Sequence, residues 1–160
     1  MVSQSPWAMT GWRLGYLVAP SSIAKCVTAI HGHLVTGACS FAQRAAALAL
    51  RDERTDETVK GMVEEYQVRR DMVVGELAKV DGISCFSPKG TFYAFPNIAS
   101  IGLKSQELAM KLLDRSKVAV VPGDAFGKCG EGFIRLSFAT SRDRLKIALE
   151  RIRDAVSELR

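Results

Sequence analysis

Two arginines are of the residue type that can hold an anion. Arg13 follows Thr10-Gly11-Trp12 and precedes the apolar run Leu14–Val18. Arg135 sits inside Phe133-Ile134-Arg135-Leu136-Ser137-Phe138, a run that alternates between two faces. A planar guanidinium fork matches phosphate or carboxylate oxygens two at a time. Arg135 shares its face with Phe133, and a charge in an otherwise apolar strand is costly unless it is exposed or paired. An exposed sheet face and a bound anion both meet that condition. For Arg13 the plainer alternative is a surface arginine beside a strand. Tyr93 lies in a short aromatic run, where a core or packing role is the plain reading. His31 and His33 form an HxH pair with no third ligand in view, which argues against a metal site. Cys26, Cys39, Cys85 and Cys129 are widely spaced without a CxxC pair, so neither a disulfide framework nor a zinc site is expected. Cys129 has no adjacent base and reads as inert.

The elements that must carry these groups follow from periodicity. Leu14–Val18 reads as a buried strand stopped by Pro20. Ser21 or Ser22 caps a short helix through Val27 and Ile30, and residues 31–39 read as a loop. Ser40 with Gln43 gives a capping-box signal for an alanine-rich helix. Val59, Met62, Val63, Tyr66, Val73, Leu77 and Val80 keep helical spacing over about 56–80, and Asp81-Gly82 ends that helix. Ile83–Phe86 and Thr91–Phe95 are expected to pair as an antiparallel hairpin across Ser87-Pro88-Lys89-Gly90. Ser105 caps a helix to about Ser116, with Leu108, Ala109, Leu112 and Leu113 on one face. Strands are expected at Val118–Val121 and Phe133–Phe138. A final helix capped by Thr140 or Ser141 buries Leu145, Ala148, Leu149, Ile152, Val156 and Leu159. Residues 56–160 thus suggest a small mixed sheet with helices packed on it. Residues 1–20 do not fit that unit, because so apolar a strand calls for a larger sheet.

Composition narrows the class. No apolar run approaches the roughly 20 residues that a bilayer helix needs, and the first ten residues carry no signal-peptide pattern. With the cysteine usage, this points to a cytoplasmic protein. The net charge of +5 is scattered, with a concentration at Arg142, Arg144, Lys146, Arg151 and Arg153. That reads as a solvated helix face, and no basic–aromatic patch supports a nucleic-acid partner.

Four blocks resemble the class I/II, pyridoxal-phosphate-dependent aminotransferases, of the aspartate-aminotransferase type. Ala8-Met9-Thr10-Gly11-Trp12-Arg13-Leu14-Gly15-Tyr16 is similar to the family's AMTGWRxGY block. Pro88-Lys89-Gly90-Thr91-Phe92-Tyr93-Ala94-Phe95 is similar to its PxGxFYxF hairpin, and Val120–Gly127 to its VxPGxxFG turn. Phe133–Ala139 resembles its xxRLSFA strand. The four fall in the family's order and cover nearly the whole chain.

The resemblance implies an α+β fold: a small C-terminal domain over 56–160, a connecting loop and helix over 31–55, and over 1–30 the last piece, with one remnant strand, of a large cofactor-binding domain. It implies that Arg13 binds the phosphate of pyridoxal 5'-phosphate and that Arg135 holds the substrate α-carboxylate. Tyr93 falls in the hairpin that lines the substrate entrance, and Thr36–Ser40 is loosely similar to a loop near a dimer interface. The family's Schiff-base lysine lies eight residues before the motif arginine. Here that position is Ser5, preceded by Gln4. Serine has no amine and can neither form that link nor move a proton from the substrate. The expectation is therefore the C-terminal portion of a homodimeric aminotransferase that moves an amino group between an amino acid and a 2-oxo acid, inactive as this chain alone. The alternative is a non-catalytic folding or dimerisation module without cofactor. Trp7, Trp12, Leu14 and Tyr16 are expected to pack on a neighbouring copy or to fold back onto this chain.

Overall fold

The longest helix follows the apolar spacing. The computed structural model describes residues 7–159. It has helices at Ser21–Val35 (α1), Ser40–Ala49 (α2), Arg54–Leu77 (α3), Ser105–Ser116 (α4) and Arg142–Ser157 (α5). Short strands lie at Tyr93–Ala94 (β1), Val121–Pro122 (β2) and Ile134–Ser137 (β3). The chain divides into two compact units, residues 1–62 and 63–160.

The second unit holds a closed core. Val73 and Leu77 of α3, Leu108 and Leu112 of α4, and Leu145, Leu149, Ile152 and Val156 of α5 are buried together with Ala94, Ile98, Ile134, Leu136 and Phe138. The strands run in the order β1-β3-β2, both pairings antiparallel. The sheet expected to be mixed is therefore antiparallel throughout. Register pairs Tyr93 with Ser137 and Ala94 with Leu136, and on the other edge Val121 with Arg135. Alternation sends Ala94, Ile134 and Leu136 into the core and leaves Tyr93, Arg135 and Ser137 on the opposite face.

The expected hairpin does not form. Its first arm shrinks to one bridge, Ser84 to Asn97, while the second arm pairs with β3 instead. Pro96 has no N–H to donate, yet its carbonyl accepts from Ile134 N at 3.1 Å. Phe86 stays 81% exposed, so the first arm gains little burial. Likewise only Val121 of the expected Val118–Val121 strand is paired, in a two-residue strand with Pro122. Leu113, expected on the buried face of α4, is exposed.

Several caps also differ. Ser21, Ser40 and Ser105 are first helical residues rather than caps, and Pro20, Cys39 and Lys104 before them make no side-chain capping bond. Gln43 does not complete a capping box. Its Nε2 donates to the Ala38 carbonyl at 2.9 Å. Ser141 does cap α5, its Oγ accepting from Arg144 N at 3.4 Å. The α5 N-terminus is also tied to α3, because Arg142 Nε donates to Glu65 Oε1 at 3.1 Å and a second bond joins Arg142 to Glu65 Oε2.

The first unit is built differently. Its α1 runs on to Val35, converting most of the expected 31–39 loop to helix, and has no buried residue. The expected strand at Leu14–Val18 is absent: only Tyr16 makes an isolated bridge, and Tyr16, Leu17 and Val18 are exposed. One bridge leaves the other N–H and C=O groups of the run without a ladder among the described residues, so little holds it extended. The four apolar residues expected to find cover do so in part. Trp7, Leu14 and Tyr16 line a hollow of about 570 Å³ with α2, and Trp12 meets Phe41 edge-on at 6.2 Å. Trp12 and Tyr16 nevertheless keep 47% and 50% of their surface exposed.

Candidate functional site

Arg135 is held by β3 on the sheet face away from the core, half-buried. Its guanidinium carbon lies 4.3 Å from the centroid of the Tyr93 ring and 4.5 Å from that of Phe126. Each ring offers its negative face, a contribution of about 0.5–2 kcal/mol depending on desolvation. Two further rings extend the platform: Phe95 stacks on Phe133 at 5.2 Å and meets Phe126 edge-on at 5.9 Å. Among the described residues no carboxylate pairs with Arg135. A half-buried guanidinium lying over aromatic faces keeps its N–H edge for a planar anion, the geometry a carboxylate meets with two parallel hydrogen bonds. Arg135 and Tyr93, singled out separately in the sequence, are thus brought together.

Phe126 was not singled out, although it lies in a recognised motif. Its loop doubles back: one 3-10 turn spans Gly123–Phe126 and another Lys128–Gly130. The two ends touch so closely that a Cβ on Gly123 would lie 2.1 Å from the Gly130 carbonyl oxygen. Gly127, at φ 113, makes the reversal between the two turns. Glycine at both ends was a visible signal for close backbone approach, but what the loop would approach was not.

Glu131 was also missed. Its Oε1 accepts from Ser105 N at 2.8 Å and from Gly132 N at 3.1 Å, while Ser105 Oγ donates to Oε2 at 3.0 Å. This carboxylate, 26 residues further along the chain, supplies the N-terminal cap of α4 that Lys104 does not. The bond from Ser105 N, foremost, holds the Glu131 carboxyl below the usual range. Ser105 is fully buried.

Arg13 belongs to the first unit and closes a turn at Thr10–Trp12 with φ 52, a left-handed conformation uncommon for a side-chain-bearing residue. Its backbone N–H and its Nη1 both donate to the Thr10 carbonyl, at 3.4 and 3.2 Å. It is exposed and, among the described residues, forms no ion pair. Its remaining guanidinium donors have no partner among the described residues. Ser5 lies outside the described residues.

The lesser candidates hold no assembled chemistry. His31 and His33 lie on α1, and the described residues contain no group of three or more metal-ligating side chains. Cys26, Cys39 and Cys129 are exposed, and burial pushes the Cys85 thiol up. No described helix is long and apolar enough to cross a membrane.

Known proteins resemble this chain in sequence and in fold. The family described as aminotransferase class I and II matches residues 6–152. An aspartate aminotransferase of Pyrococcus horikoshii is 45% identical over 150 residues, covering 94% of this chain and 38% of that protein. Aromatic-amino-acid aminotransferase 2 of Thermococcus litoralis is 42% identical over 152 residues, covering 95% of this chain and 39% of that protein. The crystal structure of an aromatic aminotransferase from Pyrococcus horikoshii superposes with a TM-score of 0.92 at 43% identity, covering 96% of this chain and 41% of that one. The chain therefore spans about two fifths of the length of these relatives.

Proposed function

Since the chain belongs to the class I and II aminotransferases, we propose that it supplies the substrate-carboxylate clamp of an enzyme that moves an amino group between an amino acid and a 2-oxo acid. The observation that carries this reading is Arg135 lying over Tyr93 and Phe126 with no carboxylate partner among the described residues. The guanidinium edge would take the α-carboxylate through paired hydrogen bonds, and the rings would limit rotation and exclude water from one side. Arg13 would take the phosphate of pyridoxal 5'-phosphate. When bound, that cofactor supplies the electron sink for charge developing at the substrate α-carbon.

We assign residues 1–30 to the large cofactor-binding domain of the parent enzyme, 31–55 to a connection, and 56–160 to its small domain. The parent is read as a cytoplasmic homodimer. The 160-residue chain by itself is read as inactive, because Ser5 stands where the family carries its Schiff-base lysine. The exposed apolar residues Ile23, Ile30 and Leu34 of α1 and Leu48 of α2 favour a second reading, a folding or dimerisation module that binds no cofactor.

Titration of the chain with 2-oxoglutarate, followed by NMR, tests the clamp. Arg135→Ala should weaken binding by roughly 10- to 100-fold, as expected for losing charged hydrogen bonds of about 1.5–3 kcal/mol. Unchanged binding would remove Arg135 from the role. Incubation with pyridoxal phosphate and borohydride should leave no stoichiometric adduct at one defined lysine, and finding such an adduct would overturn the inactive reading.

A further inference from the structure

The 123–132 loop reaches Arg135 through Phe126, and the contacts that anchor the loop lie away from that ring. Gly123 and Gly130 meet backbone to backbone at the base of the loop. Beyond Gly130 the chain is anchored twice. Gly132 O accepts from Ile98 N at 2.7 Å, and the Glu131 carboxylate engages both the backbone and the hydroxyl of buried Ser105. Between those anchors and β2, the two turns carry Phe126 to within 4.5 Å of the Arg135 guanidinium. Phe126 is itself 50% exposed, so burial alone does not pin it.

We infer that Glu131, through its bonds to Ser105 at the N-terminus of α4, is a positioning residue that holds the 123–130 loop so that Phe126 lies over Arg135 and prepares it for a carboxylate. This rests on reading Arg135 as the clamp. A substituent on Glu131 acts on Arg135 only by way of the loop, since Glu131 makes its bonds to Ser105 and Gly132 and none to Arg135. A site whose supporting groups are loosened by about an ångström loses much of its pre-organisation. Helix capping alone would predict lost stability and nothing at Arg135.

The test uses the ¹⁵N-labelled full chain and the Nε–H resonance of Arg135, which two aromatic rings displace by their ring currents. Phe126→Ala defines the resonance position with Tyr93 alone. Glu131→Ala should bring the parent resonance most of the way to that position. It should also weaken 2-oxoglutarate binding about two- to fivefold, because a guanidinium no longer held in place must be ordered on binding. A folded Glu131→Ala chain with lower Tm but unchanged Arg135 resonance and unchanged affinity would overturn the inference. If Glu131→Ala does not fold, Ser105→Pro, which removes both of its donors to Glu131 at a first helical position that tolerates proline, decides by the same two readouts, a displacement supporting the inference and none overturning it. Should Arg135→Ala bind 2-oxoglutarate as the parent does, the clamp reading fails, and the Arg135 resonance in Glu131→Ala still decides whether Glu131 positions Phe126.

Discussion

The two units of this chain use apolar residues in opposite ways. In residues 63–159 helices and strands close on one core, with Val73, Leu77, Ala94, Ile98, Leu108, Leu112 and Ile134 fully shielded. In residues 7–62 the one buried residue among those described is Ala42, while Ile30, Leu34, Phe41 and Leu48 are each more than 60% exposed. Apolar content does not separate them, since α1 is as rich in apolar side chains as α4. The difference lies in whether each amphipathic face meets a second layer. The candidate site follows the same division. Arg135 rests on a sheet braced by a core, and Arg13 rests on one three-residue turn.

The largest effect should come from the closed core. Leu112→Ala removes a fully buried side chain from α4 and should cost about 2–5 kcal/mol, read from chemical denaturation. A cost below about 1 kcal/mol would mean that the second unit is not the close-packed body described.

Next, Gly123→Ala places a methyl group against the Gly130 carbonyl, where backbone rather than a flexible side chain stands in the way. Overpacking of that kind costs about 1–3 kcal/mol. It should also move the Arg135 resonance, tying core integrity to site geometry. A neutral Gly123→Ala would show that the loop does not depend on that contact.

The pH dependence of the second unit sharpens the comparison further. Glu65 is held at about 2, chiefly by the bond from Arg142 and then by Arg69. Its folded value lies below its ordinary 4.5, so its contribution to stability is complete above that value. That contribution fades as pH falls from 4.5 toward 2. Glu65→Gln should lower Tm near neutrality and reduce the loss of Tm over that acid range. Parallel curves for parent and variant would remove Glu65 from the acid response.

The smallest effect is expected on α1. Ile30→Ala, on a side chain 61% exposed, should change stability by no more than about 0.5 kcal/mol. A cost of several kcal/mol would break the contrast between the two units and show that α1 is covered in solution.

Much of α3 and of the second unit was legible from local pattern. The spacing from Val59 to Leu77, the Leu108–Leu112 face, the Ser141 cap and the α5 stripe all appear at or near their expected places. Each depends on residues three or four apart, or on one cap, so neighbouring sequence suffices. Arg135 was legible for a similar reason, because strand alternation alone puts it opposite Ile134 and Leu136. The strand expected at Leu14–Val18 shows the limit of that method. Its apolar run was plain, but a strand needs edges to pair with, and those are not encoded in the run itself.

The sequence by itself therefore determined the helices of residues 63–160, the face that carries Arg135, and the family to which the motifs belong. Tertiary structure alone decided that Tyr93 pairs across to Ser137 rather than within a hairpin, that Phe126 reaches Arg135, and that Glu131 caps a helix beginning 26 residues earlier. Those contacts join segments far apart in the chain. Local spacing does not specify them, and they are stable only when the core has already brought both partners to the same place.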